Sequence, residues 1–193
     1  VYITSLDQGG TIQVTNGYLE ILDIQEEYLE GSYTIYDGTI DITQDDNYFD
    51  INGDLYIHGG QMILSGGIDA SYWPVDGTHI LEMSGGILQF ETLGILLYNN
   101  NMTYNITGGT IRTVGDFIAK PAVLVFDPSG GTVELYGTGI ANVNLGTGSW
   151  FHNLTIGKTS ATVNATGAFP VKGALNIQGG TFNTNNYLIT VGP

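Results

Sequence analysis

Apolar and polar residues alternate in short runs along this chain, and glycine pairs interrupt the runs. In "LYIHGGQMIL" (residues 55–64), Leu55 and Ile57 fall on one side while Tyr56 and His58 fall on the other. After Gly59-Gly60 the alternation resumes with Met62 and Leu64. A period of two belongs to a half-buried strand, so each run predicts a short strand and each glycine pair a bend.

The device recurs. "GGTIQV" begins at Gly9, "DGTIDI" at Asp37, "GGILQF" at Gly85, "GGTIRT" at Gly108, "GGTVEL" at Gly130 and "GGTFNT" at Gly179. The second residue of each bend is Gly10, Gly38, Gly60, Gly86, Gly109, Gly131 or Gly180, at intervals of 28, 22, 26, 23, 22 and 49 residues. "NLTIGKT" divides the last interval into 27 and 22 at Gly157-Lys158, giving a mean period of about 24. A repeat that stretches by several residues and keeps its pattern describes a coil whose corners accept insertions. The 29 glycines, together with abundant Thr, Asn, Tyr and Ile, disfavour helix and suit strand.

One coil reads through residues 47–64, "NYFDINGDLYIHGGQMIL". Phe49 and Ile51 face inward, Asn52-Gly53 turns the chain, Leu55 and Ile57 face inward, and Gly59-Gly60 turns it again before Met62 and Leu64. Asn-Gly also suits a two-residue hairpin, which is the rival architecture. Inward pairs on both sides of every corner favour a chain wound around its own core. The expectation is an all-β fold, a single solenoid over residues 1–193 with seven to eight coils of about 24 residues and three short strands per coil.

Through its "GGT" corners the chain resembles right-handed parallel β-helix proteins of bacterial surfaces and secretions, a group that includes adhesins and pectin-lyase-like carbohydrate enzymes. Its last part, "FHNLTIGKTSATVNATGAFPVKGALNIQGGTFNTNNYLITVG", is similar to strand-rich repeats of very large cell-surface proteins. The resemblance implies a right-handed coil and an extracellular or cell-surface setting. It implies little about chemistry, because this fold carries rods, lyases, hydrolases and adhesins alike.

Charge narrows the partners. Sixteen of the 19 acidic residues lie between Asp7 and Glu91, whereas Arg112, Lys120, Lys158 and Lys172 all follow position 111. The first hundred residues therefore carry −16 and the remainder +1. Nucleic acid is an unsuitable partner for such a surface, since phosphates are gripped by Lys and Arg. No apolar run has membrane-spanning length, so no membrane insertion is expected in this segment. With no cysteine there is neither a disulfide framework nor a thiolate metal site. Both termini, "VYITSL" and "LITVGP", read as strands. They fit a fragment of a longer repeat protein, or a subunit whose end coils stack on flanking repeats or neighbouring copies.

Candidate chemistry is sparse. "DDNYFDINGD" gathers Asp45, Asp46, Asp50, Asn52 and Asp54 at one corner, and hard cations take several oxygen ligands from a turn. Calcium is accordingly the candidate ion, although position twelve counted from Asp50 is Gln61 rather than the bidentate Glu of an EF-hand. No cofactor is otherwise expected. His58, His79 and His152 fall in different coils, and the sole arginine, Arg112, has only Asp116 as an acid in its own coil. In the irregular insert "SGGIDASYWPVDGTH", Tyr72 and Trp73 offer flat faces to a sugar such as a cell-surface glycan, or fold back on the rod. Trp150-Phe151 is read as cover for hydrophobic surface. The threonines Thr11, Thr39, Thr110, Thr132 and Thr181 lack the regular second column that ice binding needs, and are read as sheet-forming residues. Asn-x-Thr sequons stand at Asn101, Asn105, Asn153 and Asn164.

The sequence thus leads to a structural or adhesive β-solenoid segment without catalysis. A carbohydrate-binding or carbohydrate-cleaving β-helix and a self-assembling filament subunit are the alternatives.

Overall fold

The structure is a computed structural model that describes residues 2–3, 10–22, 28–44, 50–66, 79–92, 94–97, 102–119 and 125–193. Every regular element among them is a strand. In chain order these are β1 (Tyr2–Ile3), β2 (Thr11–Val14), β3 (Tyr18–Leu22), β4 (Tyr28–Ile35), β5 (Thr39–Gln44), β6 (Asp50–Ile57) and β7 (Gln61–Gly66). Next come β8 (His79–Met83), β9 (Ile87–Phe90), β10 (Gly94–Leu97), β11 (Met102–Ile106), β12 (Thr110–Thr113) and β13 (Asp116–Ala119). The chain continues with β14 (Thr132–Gly137), β15 (Ala141–Leu145), β16 (Asn153–Ala165), β17 (Phe169–Val171), β18 (Leu175–Asn183) and β19 (Ile189–Val191).

Each strand pairs in parallel with its counterpart one coil away, which is the solenoid expected from the sequence. The first face stacks β1-β3-β5-β7-β9-β12-β14-β16-β18, and the second stacks β2-β4-β6-β8-β11. Residues 125–128 and 150–151, then β17 and β19, continue the second face; the Trp150 amide donates to Phe126 O at 2.9 Å and Phe151 bridges Val171. A third face is made by β10, β13, β15 and the later halves of β16 and β18. Backbone amides of one coil donate to carbonyls of its neighbour, so strands inside the stack satisfy their ladders on both edges.

Register fixes which side chains share a column. On the first face Leu19, Ile40, Met62, Leu88, Ile111, Val133 and Leu154 stack inward and are buried. On the second, Val14, Ile35, Ile57, Met83 and Ile106 do the same. Further along, the core turns aromatic. Tyr104, Phe126, Phe117, Phe151 and Phe169 form a chain of edge-to-face contacts with centroids 5.2–5.4 Å apart. That geometry lets the positive edge of one ring meet the negative face of the next. The hydroxyl of Tyr104 is buried there without a hydrogen-bond partner. Two voids between the inward columns measure only about 10 Å³ each, so the interior is filled by side chains.

The corner leading from the second face to the first is where glycine is required. Gly17, Gly38, Gly60, Gly86, Gly109 and Gly131 all have positive φ, between 61° and 103°. A Cβ on Gly109 would lie 2.4 Å from Gly85 O, a backbone atom of the preceding coil. Close stacking of identical corners, more than the bend itself, therefore excludes a side chain.

Several sequence expectations need correction at this point. About six turns share this corner, fewer than the seven to eight expected. The step between adjacent coils is also shorter than the expected mean period: Arg112 and Glu134, paired across two coils, are 22 apart in sequence. Gly10, the second residue of the first pair, leads instead into β2 on the second face, where it stacks beneath Gly31; the corner of that coil is Asn16-Gly17. Gly157-Lys158 and Gly179-Gly180 lie at the bend between first and third faces, inside β16 and β18. Asn52-Gly53 lies within β6 and does not end a strand. Gly53, Gly179 and Gly180 share one physical reason, since a Cβ on each would fall 2.2–2.5 Å from a backbone oxygen: glycine marks crowding without saying which corner is crowded, while Gly10 and Gly157 meet no backbone so closely. Phe49 lies outside the described residues.

Gly109→Ala is expected to lower stability by about 2–4 kcal/mol, through both the positive φ and the clash with backbone. Gly10→Ala, where a Cβ would meet nothing within 4 Å, should change it by less than about 0.5 kcal/mol. Urea unfolding followed by tryptophan fluorescence compares the two.

Candidate functional site

Outward residues also stack by register, and this brings together groups that are far apart in sequence. On the first face one column runs Glu20, Asp41, Ile63, Gln89, Arg112, Glu134, Thr155 and Asn176. Arg112 Nε donates to Glu134 Oε2 at 2.7 Å, its Nη1 donates to Gln89 Oε1 at 3.0 Å, and its Cζ sits 4.4 Å from the ring centroid of Tyr136. Gln89 Nε2 in turn donates to Glu91 Oε1 at 2.7 Å. Arg112 thus finds its acid one coil away, which a search within its own coil misses. Counting one coil forward from Arg112 reaches Glu134 and would have found it. Two carboxylates and an aromatic ring converge here, but Arg112 and Gln89 hold both carboxylates.

Asp54 and His79 lie on the second face, and His58 directly follows β6. Asp54 Oδ1 accepts the Ile80 amide at 3.0 Å and lies 3.6 Å from His79 Nδ1, while Oδ2 accepts the Tyr56 hydroxyl at 3.5 Å. This carboxylate is occupied in tying β6 to β8. Asp45 and Asp46 lie outside the described residues, and the structure describes no side chain for Asp50 or Asn52. Among the described residues no three His, Cys, Asp or Glu side chains are grouped to hold a metal ion.

His58 stacks on Tyr36 with centroids 5.1 Å apart, and its Nδ1 is 3.1 Å from Ser84 Oγ and 4.0 Å from Glu82 Oε1. Serine, histidine and glutamate side by side suggest a hydrolytic triad. A triad, however, needs the acid on one ring nitrogen and the serine on the other. Here both approach Nδ1, so Glu82 cannot orient the ring for proton transfer from Ser84. His152 is half-buried on the far coils and joins neither histidine.

The insert holding Tyr72 and Trp73 lies outside the described residues. Trp150 and Phe151 divide their roles: Phe151 is buried in the aromatic core, whereas Trp150 is only half-buried and forms the wall of an open cleft of about 330 Å³. Leu145, Thr147, Ala168, Pro170 and Lys172 also line it. Trp150 Nε1 donates to Pro128 O at 3.1 Å, and Lys172 Nζ lies 4.9 Å from the centre of the indole ring. Reading Trp150 as surface cover thus omits its exposed part. A lysine standing one coil after a tryptophan was the available signal.

Outward threonines fall into one column at Thr39, Thr110 and Thr132, shared with Gln61, Ile87 and Asn153. Thr11 and Thr181 belong to other faces. Of the sequons, Asn101 lies outside the described residues and Asn105 is exposed. Asn153 is held on both sides, donating to Gly131 O and accepting from the Ala174 amide.

Among the described residues one buried cation remains. Lys158, fully buried at the bend inside β16, donates from Nζ to Val114 O at 2.5 Å, two coils away. Burial pulls its pKa below the ordinary lysine value, and the Asp116 carboxylate opposes the shift. Burial pushes the hydroxyls of Tyr33 and Tyr104 well above the usual tyrosine range.

No protein-family model, curated protein or solved structure matches the chain. Among the described residues no helix is long and apolar enough to cross a membrane.

The buried groups set the alkaline behaviour. Between the folded pKa of Lys158 and about pH 10.4, the unfolded chain holds the extra proton, so stability contributed at this site rises with pH. Above about pH 10 the unfolded tyrosines ionise first, so stability falls. A melting profile over that range should climb and then drop, and Lys158→Met should remove the climb while leaving the drop.

Proposed function

We propose that this chain is a structural or adhesive β-solenoid segment of an extracellular or cell-surface protein, with no chemistry of its own. The observation carrying this reading is the continuous parallel stack on the first face, from β1 to β18, with outward polar side chains paired between coils. Such a stack makes a stiff spacer whose length grows with the number of coils. Among the described residues, the carboxylates of Asp54, Glu82, Glu91 and Glu134 are engaged by neighbouring side chains or amides. The resemblance of the "GGT" corners to surface and secreted β-helices supports the same setting.

Pulled from its two ends in an atomic force microscope, the chain should unravel coil by coil, each step releasing about 70 Å of contour length. Extension at forces that merely straighten an unfolded chain would overturn the spacer reading.

A second reading, assembly through end coils, draws on the last coil. Ile177 on β18 and Val191 on β19 are exposed there by 56% and 53%, on strands with free edges, and Leu188, just before β19, by 71%. A further repeat or a neighbouring copy would cover them. Sedimentation over a hundredfold concentration range should then show growing species that Leu188→Lys with Ile177→Lys abolishes; a constant monomer would remove this reading.

A further inference from the structure

The cleft beside Trp150 has the parts of a ligand site that neither a spacer nor an end-to-end contact uses. Its walls are fixed by backbone. The loop from Leu145 to Ser149 is closed by Ser149 N to Gly146 O at 3.1 Å and anchored by Gly146 N to Ala119 O. Buried Ser149 Oγ accepts the Phe126 amide at 3.0 Å, and Lys172 N donates to Phe151 O at 2.8 Å. The indole is held in one orientation by its bond to Pro128 O. Little conformational freedom is left to lose on binding, which is what preorganisation requires.

Chemistry of the lining narrows the ligand. Trp150, Pro170 and Leu145 supply apolar surface, Thr147 an exposed hydroxyl, and Lys172 a positive charge poised over the indole. No Asp or Glu follows Glu134 in the sequence, and Asp127 of the preceding coil does not line the cleft. Lys172 makes no ion pair with any described residue. An unpaired ammonium beside an aromatic wall calls for an anion attached to a ring with an apolar face and hydroxyl groups. A volume of about 330 Å³ lies at the lower end of the range for small-ligand sites and admits one or two such rings.

We propose that the cleft between Leu145–Trp150 and Ala168–Lys172 binds an anionic sugar unit, its ring against Trp150 and its carboxylate or sulfate on Lys172. The site would give the rod an adhesive contact beside the second face. It does not depend on the mechanical role. Coil-by-coil unravelling can hold while the cleft stays empty, and binding can hold if unravelling fails.

Isothermal titration calorimetry on the whole chain tests it with three probes: a hexuronate trisaccharide, a sulfated galactose disaccharide and a neutral galactose trisaccharide. At least one anionic probe should bind saturably and more tightly than the neutral one, with affinity falling as salt rises. Lys172→Gln should weaken it roughly tenfold or more, and Trp150→Phe should weaken it measurably. Circular dichroism establishes that each variant remains folded. The charged group on the tighter probe identifies the source as carboxylated or sulfated glycan. Equal binding of the neutral sugar, no heat from any probe at about 10 mM, or Lys172→Gln affinity within twofold of the parent would each overturn the proposal. So would binding that survives both substitutions and is lost in Trp73→Ala.

Discussion

Close stacking of one backbone coil on the next is the constraint from which the other features follow. Neighbouring strands lie about 4.8 Å apart, a distance set by the amide-to-carbonyl bond. Where the chain runs as a strand, side chains leave that stack inward or outward and do not obstruct it. At a corner, a Cβ would point along the stack. On Gly38 and Gly60 it would fall 2.3 and 2.4 Å from a carbonyl oxygen of the coil before. Glycine recurs at these points because the preceding turn occupies the space, and loss of one such glycine disturbs two coils at once.

The same register governs the surface. Residues one coil apart become neighbours, so Arg112 meets Glu134, Asn105 meets Glu82, and Lys172 meets Trp150. Each pair joins adjacent coils and adds to the backbone ladder. Pairs of this kind are worth little singly at an exposed site. Their effect is to settle which outward groups remain available: the carboxylates of Asp54, Glu82, Glu91 and Glu134 all have partners, whereas the Lys172 ammonium has only an aromatic ring.

The strand pattern could be read directly, because inward columns such as Met62 and Leu64 or Val133 and Leu135 need only alternation to be recognised. Corner identity could not. Gly10 and Gly180 look like Gly38 and Gly109 in the sequence, yet the first lies on another face and the second at another bend. Misplacing them lengthened the apparent repeat, and a step even slightly too long hides the neighbour of every outward side chain. With the true step, Arg112 to Glu134 and Trp150 to Lys172 follow from counting. The reach of Lys158 across two coils to Val114 depends on a bend inside β16, which alternation does not reveal.

Because coils stack in the order of the chain, position in the sequence becomes position along the axis, and the uneven distribution of charge becomes axial. Among the described residues, Glu20, Asp37, Asp41, Asp54, Glu82 and Glu91 lie in the earlier coils, while the coils after Glu134 hold only Lys158 and Lys172 as charged side chains. The molecule is therefore an electric dipole drawn out lengthwise. In physiological salt its field reaches only about 8 Å, so the asymmetry acts at contact. A negatively charged surface would then be repelled more by the earlier coils than by the later ones.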